Sequence, residues 1–87
     1  MMTAVELSYD DSDFKRIYGG FRKIEQNDLR VETIEMRKDD LEWLERLHRM
    51  IYPFYDVPEN NLLKPYIWGV PVSWNDGLPK GRVILSS

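Results

Sequence analysis

Residues 66–74 (YIWGVPVSW) constrain the fold of this 87-residue chain most. Tyr66, Trp68, Val70, Val72 and Trp74 recur at every second position, so an extended strand gathers them on one aromatic and β-branched face. Gly69, Pro71 and Ser73 fall on the other face. An all-helical bundle has no place for such an alternation. Pro71 has no amide hydrogen to give to a ladder and is tolerated mainly on an edge strand. Asn75-Asp76-Gly77 then turns the chain, Pro79 and Gly81 continue the loop, and residues 82–85 read as the return strand of a hairpin. A phosphate-cradling loop would instead run from a glycine-rich turn into a helix N-terminus. Here the turn runs into a strand, so the stretch reads as a hairpin rather than a ligand loop.

Residues 39–52 (DDLEWLERLHRMIY) carry the opposite period. Leu41, Trp43, Leu44, Leu47, Met50 and Ile51 fill one half of a helical wheel, and Glu42, Glu45, Arg46 and Arg49 fill the other. Asp39 is placed to cap the first turn, with Glu42 three residues on as a capping box requires. Glu42–Arg46 and Glu45–Arg49 add acid-before-base pairs at i,i+4, and Pro53 ends the helix. The expected core sets Leu41, Leu44, Leu47 and Ile51 against Val31, Val70 and Val83.

Upstream, residues 29–36 (LRVETIEM) read as a strand whose phase shifts at Ile34 and Met36. Residues 12–27 admit two readings. A hairpin turning at Gly19-Gly20 places Tyr18 opposite Phe21 but mixes apolar and charged side chains across each face. A helix groups Phe14, Ile17, Tyr18, Phe21 and Ile24 on one stripe, at about 1 kcal/mol for each glycine. The helix is the better reading, with a break at the glycines left open. Residues 52–65 read as a proline-punctuated linker.

These elements make an α+β fold: one or two helices packed on a small, mainly antiparallel sheet of about three strands with a C-terminal hairpin. Residues 1–87 form a single domain, because so short a chain cannot bury two cores. Hydrophobic content of 43% beside 31% charged residues argues against disorder. With no cysteine there is no disulfide, thiolate nucleophile or thiolate metal site, which fits the cytoplasm. No apolar run approaches bilayer length, and the N-terminus turns acidic before a signal-peptide core forms.

The chemistry is sparse. A net charge of −3 supplies no field for a polyanion; Arg22, Lys23, Arg37 and Lys38 make a local basic patch that neighbouring acids largely cancel. His48 is the sole histidine, so no histidine pair holds a metal, and no Gly-x-Ser-x-Gly frame gives it a nucleophile. It reads as a boundary side chain. Asp10, Asp11 and Asp13 resemble half a calcium loop without its glycine and distal glutamate, and read instead as an acidic cap for the first helix. No catalytic residue, cofactor, metal or small-molecule ligand is expected.

Residues 62–85 (LLKPYIWGVPVSWNDGLPKGRVIL) resemble the Gly-x-Pro-Val followed by Leu-Pro-x-Gly pattern near the C-terminal end of tailed-bacteriophage capsid proteins of the HK97 type. The matching positions are Gly69, Pro71, Val72, Leu78, Pro79 and Gly81, within about a quarter of the chain. The remainder departs from that family, whose subunits need a far longer chain. The resemblance implies a small phage or prophage accessory protein, a virion component or an inhibitor of a host protein, acting in the host cytoplasm. It carries over no catalytic residue.

The functional expectation is a non-enzymatic protein–protein interaction module. Its aromatic strand face is larger than one amphipathic helix needs, and edge strands recruit partners by continuing the sheet. The expected partner-binding residues are Tyr66, Trp68, Trp74 and Arg82, with Trp68 or Trp74 central to a protein partner or to self-association. A nucleic-acid-binding accessory protein and a small enzyme are the alternatives; no membrane contact is expected.

Overall fold

The computed structural model describes residues 1–51 and 66–87. Residues 52–65, which the sequence reads as a linker, lie outside the described residues. The elements are β1 (Met2–Glu6), α1 (Asp13–Glu25), β2 (Thr33–Met36), α2 (Lys38–Ile51), β3 (Tyr66–Ile67), β4 (Val70–Trp74) and β5 (Arg82–Ser86). The sheet runs β1-β5-β2-β4-β3, antiparallel throughout except for the parallel pair β2–β4. The fold is α+β, with five strands where the sequence suggests about three.

One core holds it together. Val5, Ile34, Met36, Val72, Val83 and Leu85 alternate along their strands with exposed or half-buried neighbours, and join Ile17, Phe21, Ile24, Leu41 and Leu44 of the two helices. Both helices therefore cover the same face of the sheet. Leu41, Leu44 and Leu47 are buried as the helical period requires, and so are Val31 and Val83. Ile51 is a correction: it ends α2 and is 41% exposed, because no described residue buries it.

The glycine pair does not break α1. A β-carbon at Gly20 would stand 2.6 Å from Val5 Cγ2 and 2.7 Å from Leu85 Cδ1, so the helix lies directly on β1 and β5 there. Only glycine permits that approach without displacing the core. The predicted strand 29–36 shortens to β2, although the Glu32 amide still donates to the Ser86 carbonyl at 2.8 Å.

The expected C-terminal hairpin, residues 66–74 with 82–85 as the return strand, does not form; the hairpin in this region is β3–β4. Residues 66–74 are not one strand: the chain turns at Trp68 (φ 50°) and Gly69 (φ 78°), and Ile67 pairs with Val70. Two central residues at positive φ are what a tight type I′ hairpin needs. The turn resets the alternation, so Ile67 is buried while Tyr66 and Trp68 are exposed. Pro71 does not lie on an edge strand as expected: β4 is flanked by β2 and β3, and Pro71 sits opposite Tyr66, one residue before the β2 ladder begins at Val72.

β4 and β5 do not pair with each other; β2 lies between them. The Asn75-Asp76-Gly77 turn passes instead over the end of β2. Asn75 donates its amide to the Met36 carbonyl and its side-chain nitrogen to Glu35, both at 2.8 Å. Arg37 donates to the carbonyls of Asp76 (2.9 Å) and Leu78 (3.2 Å). Asp76 then accepts the Lys38 amide at 3.1 Å, capping α2 from a distant loop. Asp39, expected as that cap, sits inside the first turn and pairs with Arg37 at 3.1 Å.

Candidate interaction surface

Beneath one end of the helices lie two buried carboxylates. Asp13 Oδ1 accepts the Ser8 amide and Oδ2 accepts the Trp43 indole N–H, both at 2.8 Å. Asp40 accepts the Tyr9 hydroxyl through Oδ1, and the Gly81 amide through Oδ2 at 2.7 Å. Tyr9 meets Trp43 edge to face at 6.0 Å, and Lys80 Nζ stands 5.6 Å from its ring centroid. Each carboxylate joins elements far apart in sequence, and the donors offset the cost of burying charge. The acidic run is therefore split in role. Asp10 accepts the amide and hydroxyl of Ser12, whereas Asp13 turns inward as a tie between the helices.

The Tyr9 phenol is held protonated well above its ordinary range, first by burial and then by its hydrogen bond to Asp40. A raised folded-state pKa means a contribution fully present below the unfolded value of about 10 and lost as pH rises towards the folded value. The stability advantage of wild type over Tyr9→Phe is thus expected to shrink in alkaline solution. Urea melts of both proteins from neutral pH to beyond the unfolded tyrosine value measure it; a constant gap refutes it.

The surface feature lies at the β3–β4 turn. Trp68 rests on α1, with ring centroids 5.2 Å from Phe21, 6.2 Å from Tyr18 and 6.3 Å from Phe14. Phe14 in turn meets His48 at 6.2 Å, which places the sole histidine, half-buried, against an aromatic edge. Edge-to-face contacts of this kind hold a ring in a defined orientation. Trp68 nevertheless remains 54% exposed, with Tyr18 and Tyr66 each at 53%. The outer face of α1 beside it carries Lys15, Arg16, Gly19, Arg22 and Lys23, all exposed. Arg22 lies over the Tyr18 ring at 5.9 Å.

The structure does not gather the four expected partner-binding residues on one surface. Tyr66 and Trp68 are near neighbours in the β3–β4 hairpin, but Tyr66 sits opposite Pro71, on the sheet face away from buried Ile67 and Val72, whereas Trp68 rests on α1. Trp74 stands at the far end of β4, roughly 13 Å along the strand from Val70, 48% exposed with Lys38 Nζ 5.2 Å from its ring. Arg82 lies across β2 on the uncovered sheet face, bonded to its cross-strand partner Glu6 at 2.8 Å. Sequence reasoning placed Phe14, Tyr18 and Phe21 on one helical stripe but did not connect that stripe to Trp68. Beyond Pro71, the outer edge of β4 is met by no described strand.

Comparison with known protein families, curated proteins and solved structures finds no match to this chain. Among the described residues no helix is long and apolar enough to cross a membrane.

Proposed function

We propose that this chain is a non-enzymatic interaction module that engages a partner protein, or a second copy of itself, through the aromatic surface of Trp68 and Tyr18. The observation that carries this reading is the backbone of Trp68. A non-glycine residue at positive φ is uncommon, and hairpin turns of this type favour asparagine, aspartate or glycine there. Local strain of this sort persists where the surroundings over-determine it, and it clusters at functional positions. Here it lays the largest side chain type half in solvent on a bed of three rings. Tryptophan and tyrosine so held lose little freedom on binding and are the commonest interface anchors. Tyr66, Trp74 and Arg82 then lie outside the surface. On the sequence side, the Gly69, Pro71, Val72 and Leu78, Pro79, Gly81 pattern supports a small phage accessory protein of the host cytoplasm, as a virion component or an inhibitor of a host protein.

The test compares wild type with Trp68→Ala, Tyr18→Ala and Trp74→Ala in partner capture and in light scattering of the free protein. Trp68→Ala is expected to weaken association roughly 30-fold, about 2 kcal/mol, while its circular dichroism spectrum stays native. Tyr18→Ala should weaken it less, and Trp74→Ala should leave it intact. Undiminished association by a folded Trp68→Ala variant ends this reading.

A further inference from the structure

Charge on this molecule is sorted in a way that its composition hides. The chain as a whole is acidic, yet the outer face of α1 carries four exposed basic side chains: Lys15, Arg16, Arg22 and Lys23. Arg16 is partly engaged by Asp13 at 3.9 Å and by Ser12, and Arg22 leans on Tyr18. Lys15 and Lys23 make no ion pair among the described residues. Lys15, Tyr18 and Arg22 follow one another at i, i+3 and i+7, so they line a single stripe, and Trp68 sits on that same Tyr18. The stripe from Lys15 to Lys23 is about 12 Å long. Exposed acids bracket it: Asp10 and Asp11 before α1, and Glu25 and Asp28 after the last lysine.

Gly19 stands in the middle of the stripe. Gly20 is required by the contact with Val5 and Leu85, but among the described residues a β-carbon at Gly19 would meet nothing within 4 Å. The helix therefore carries at an exposed position a residue that disfavours helix, with no packing return among the described residues. A missing side chain of this kind allows another backbone to come close.

We infer, resting on the interaction surface proposed above, that its occupant is an acidic amphipathic segment of a partner protein. Two or three carboxylates of that segment lie along Lys15, Arg22 and Lys23, one apolar side chain covers Trp68 and Tyr18, and the partner backbone passes over Gly19. A nucleic-acid strand shares the taste for basic and aromatic side chains. It fits less well, because its charge continues beyond a 12 Å stripe at each end onto Asp10, Asp11, Glu25 and Asp28. A short acidic peptide ends where the stripe ends.

The test pans a library of random short peptides on the full chain. Enriched sequences are expected to combine at least two Asp or Glu residues with Leu, Phe or Trp, and to bind more weakly as salt is raised. The best peptide should lose at least tenfold in affinity against the Lys15→Glu/Lys23→Glu variant. It should also lose affinity against Gly19→Gln, a variant expected to raise the urea midpoint, so that weaker binding cannot be laid to unfolding. Enrichment without acids, no enrichment, equal binding to the lysine variant, or tighter binding of a short oligothymidine each overturn the inference. Peptides that need Trp68 but ignore the lysines sink this inference and leave the interaction surface standing; peptides indifferent to Trp68→Ala sink the interaction surface itself.

Discussion

Leu44→Ala is expected to remove on the order of 2–5 kcal/mol of stability, the range for emptying a leucine-sized site in a core that only partly collapses. Leu44 is almost wholly buried, in the cluster where α2 meets the sheet and α1. A domain of this size has only about 5–15 kcal/mol in total, so the variant should sit near its folding threshold at body temperature. In urea its midpoint should fall with the slope unchanged, because the same surface is exposed on unfolding. Ile51→Ala is the paired control. It removes an apolar side chain from the same helix at an exposed position and should stay within about 0.5 kcal/mol of wild type. Overlaid melts for Leu44→Ala, or a larger loss for Ile51→Ala, would mean that α2 presents a different face to the sheet.

The second large effect should come from Asp40→Ala. The substitution strips the acceptor from the Gly81 amide, which is buried, and from the Tyr9 hydroxyl. Hydrogen bonds to a charged group contribute about 1.5–3 kcal/mol each, and a buried donor left without an acceptor costs more than the bond was worth. Some of that is returned because a carboxylate no longer has to be desolvated. A net loss of about 2–4 kcal/mol is expected. Asp40→Asn should recover part of it: the amide oxygen can take the Gly81 N–H while its nitrogen donates to the Tyr9 oxygen. Thermal melts of the three proteins, ranked wild type, Asn, Ala, would bear this out. If alanine matched wild type, Asp40 would not be what holds the β4–β5 connection against α2.

What was legible in the sequence was whatever repeats locally. The α2 stripe from Leu41 to Leu47 needed only the helical period, and the Phe14–Ile24 stripe outweighed two glycines because both readings could be compared on the same residues. What escaped depends on partners far along the chain. β1 offers a single well-buried apolar residue, Val5, too little for an alternation to register, and it becomes a strand because β5 pairs with it. Asp13 and Asp40 look like solvated acids until Trp43, Tyr9 and Gly81 are seen around them. Asn75-Asp76-Gly77 carries a turn signal, but its grip on Arg37 and Lys38 re-aims it over β2. The candidate surface suffered the same way. Tyr66 and Trp68 were visible as aromatics, but a tryptophan at positive φ defies local turn preference, and only the rings of α1 explain it. Once the hairpin turned there, Trp74 and Arg82 were carried to other parts of the sheet.

The place of β5 has a consequence for how the chain comes to be folded. β1 and β2 run in the same direction about 10 Å apart, and the slot between them is filled by the strand synthesised after all the others described. Until residues 82–86 leave the ribosome, β1 has no neighbour, and the ladder of β2 with β4 has one open side. The nascent chain can assemble two helices and a half-sheet, but its earliest strand waits for its latest. Pairing Met2 with Ser86 closes a loop of nearly the entire sequence, the kind of contact that slows folding most. Completion of this sheet has to wait for residues 82–86, and until they pair the inner edges of β1 and β2 are open to other strands.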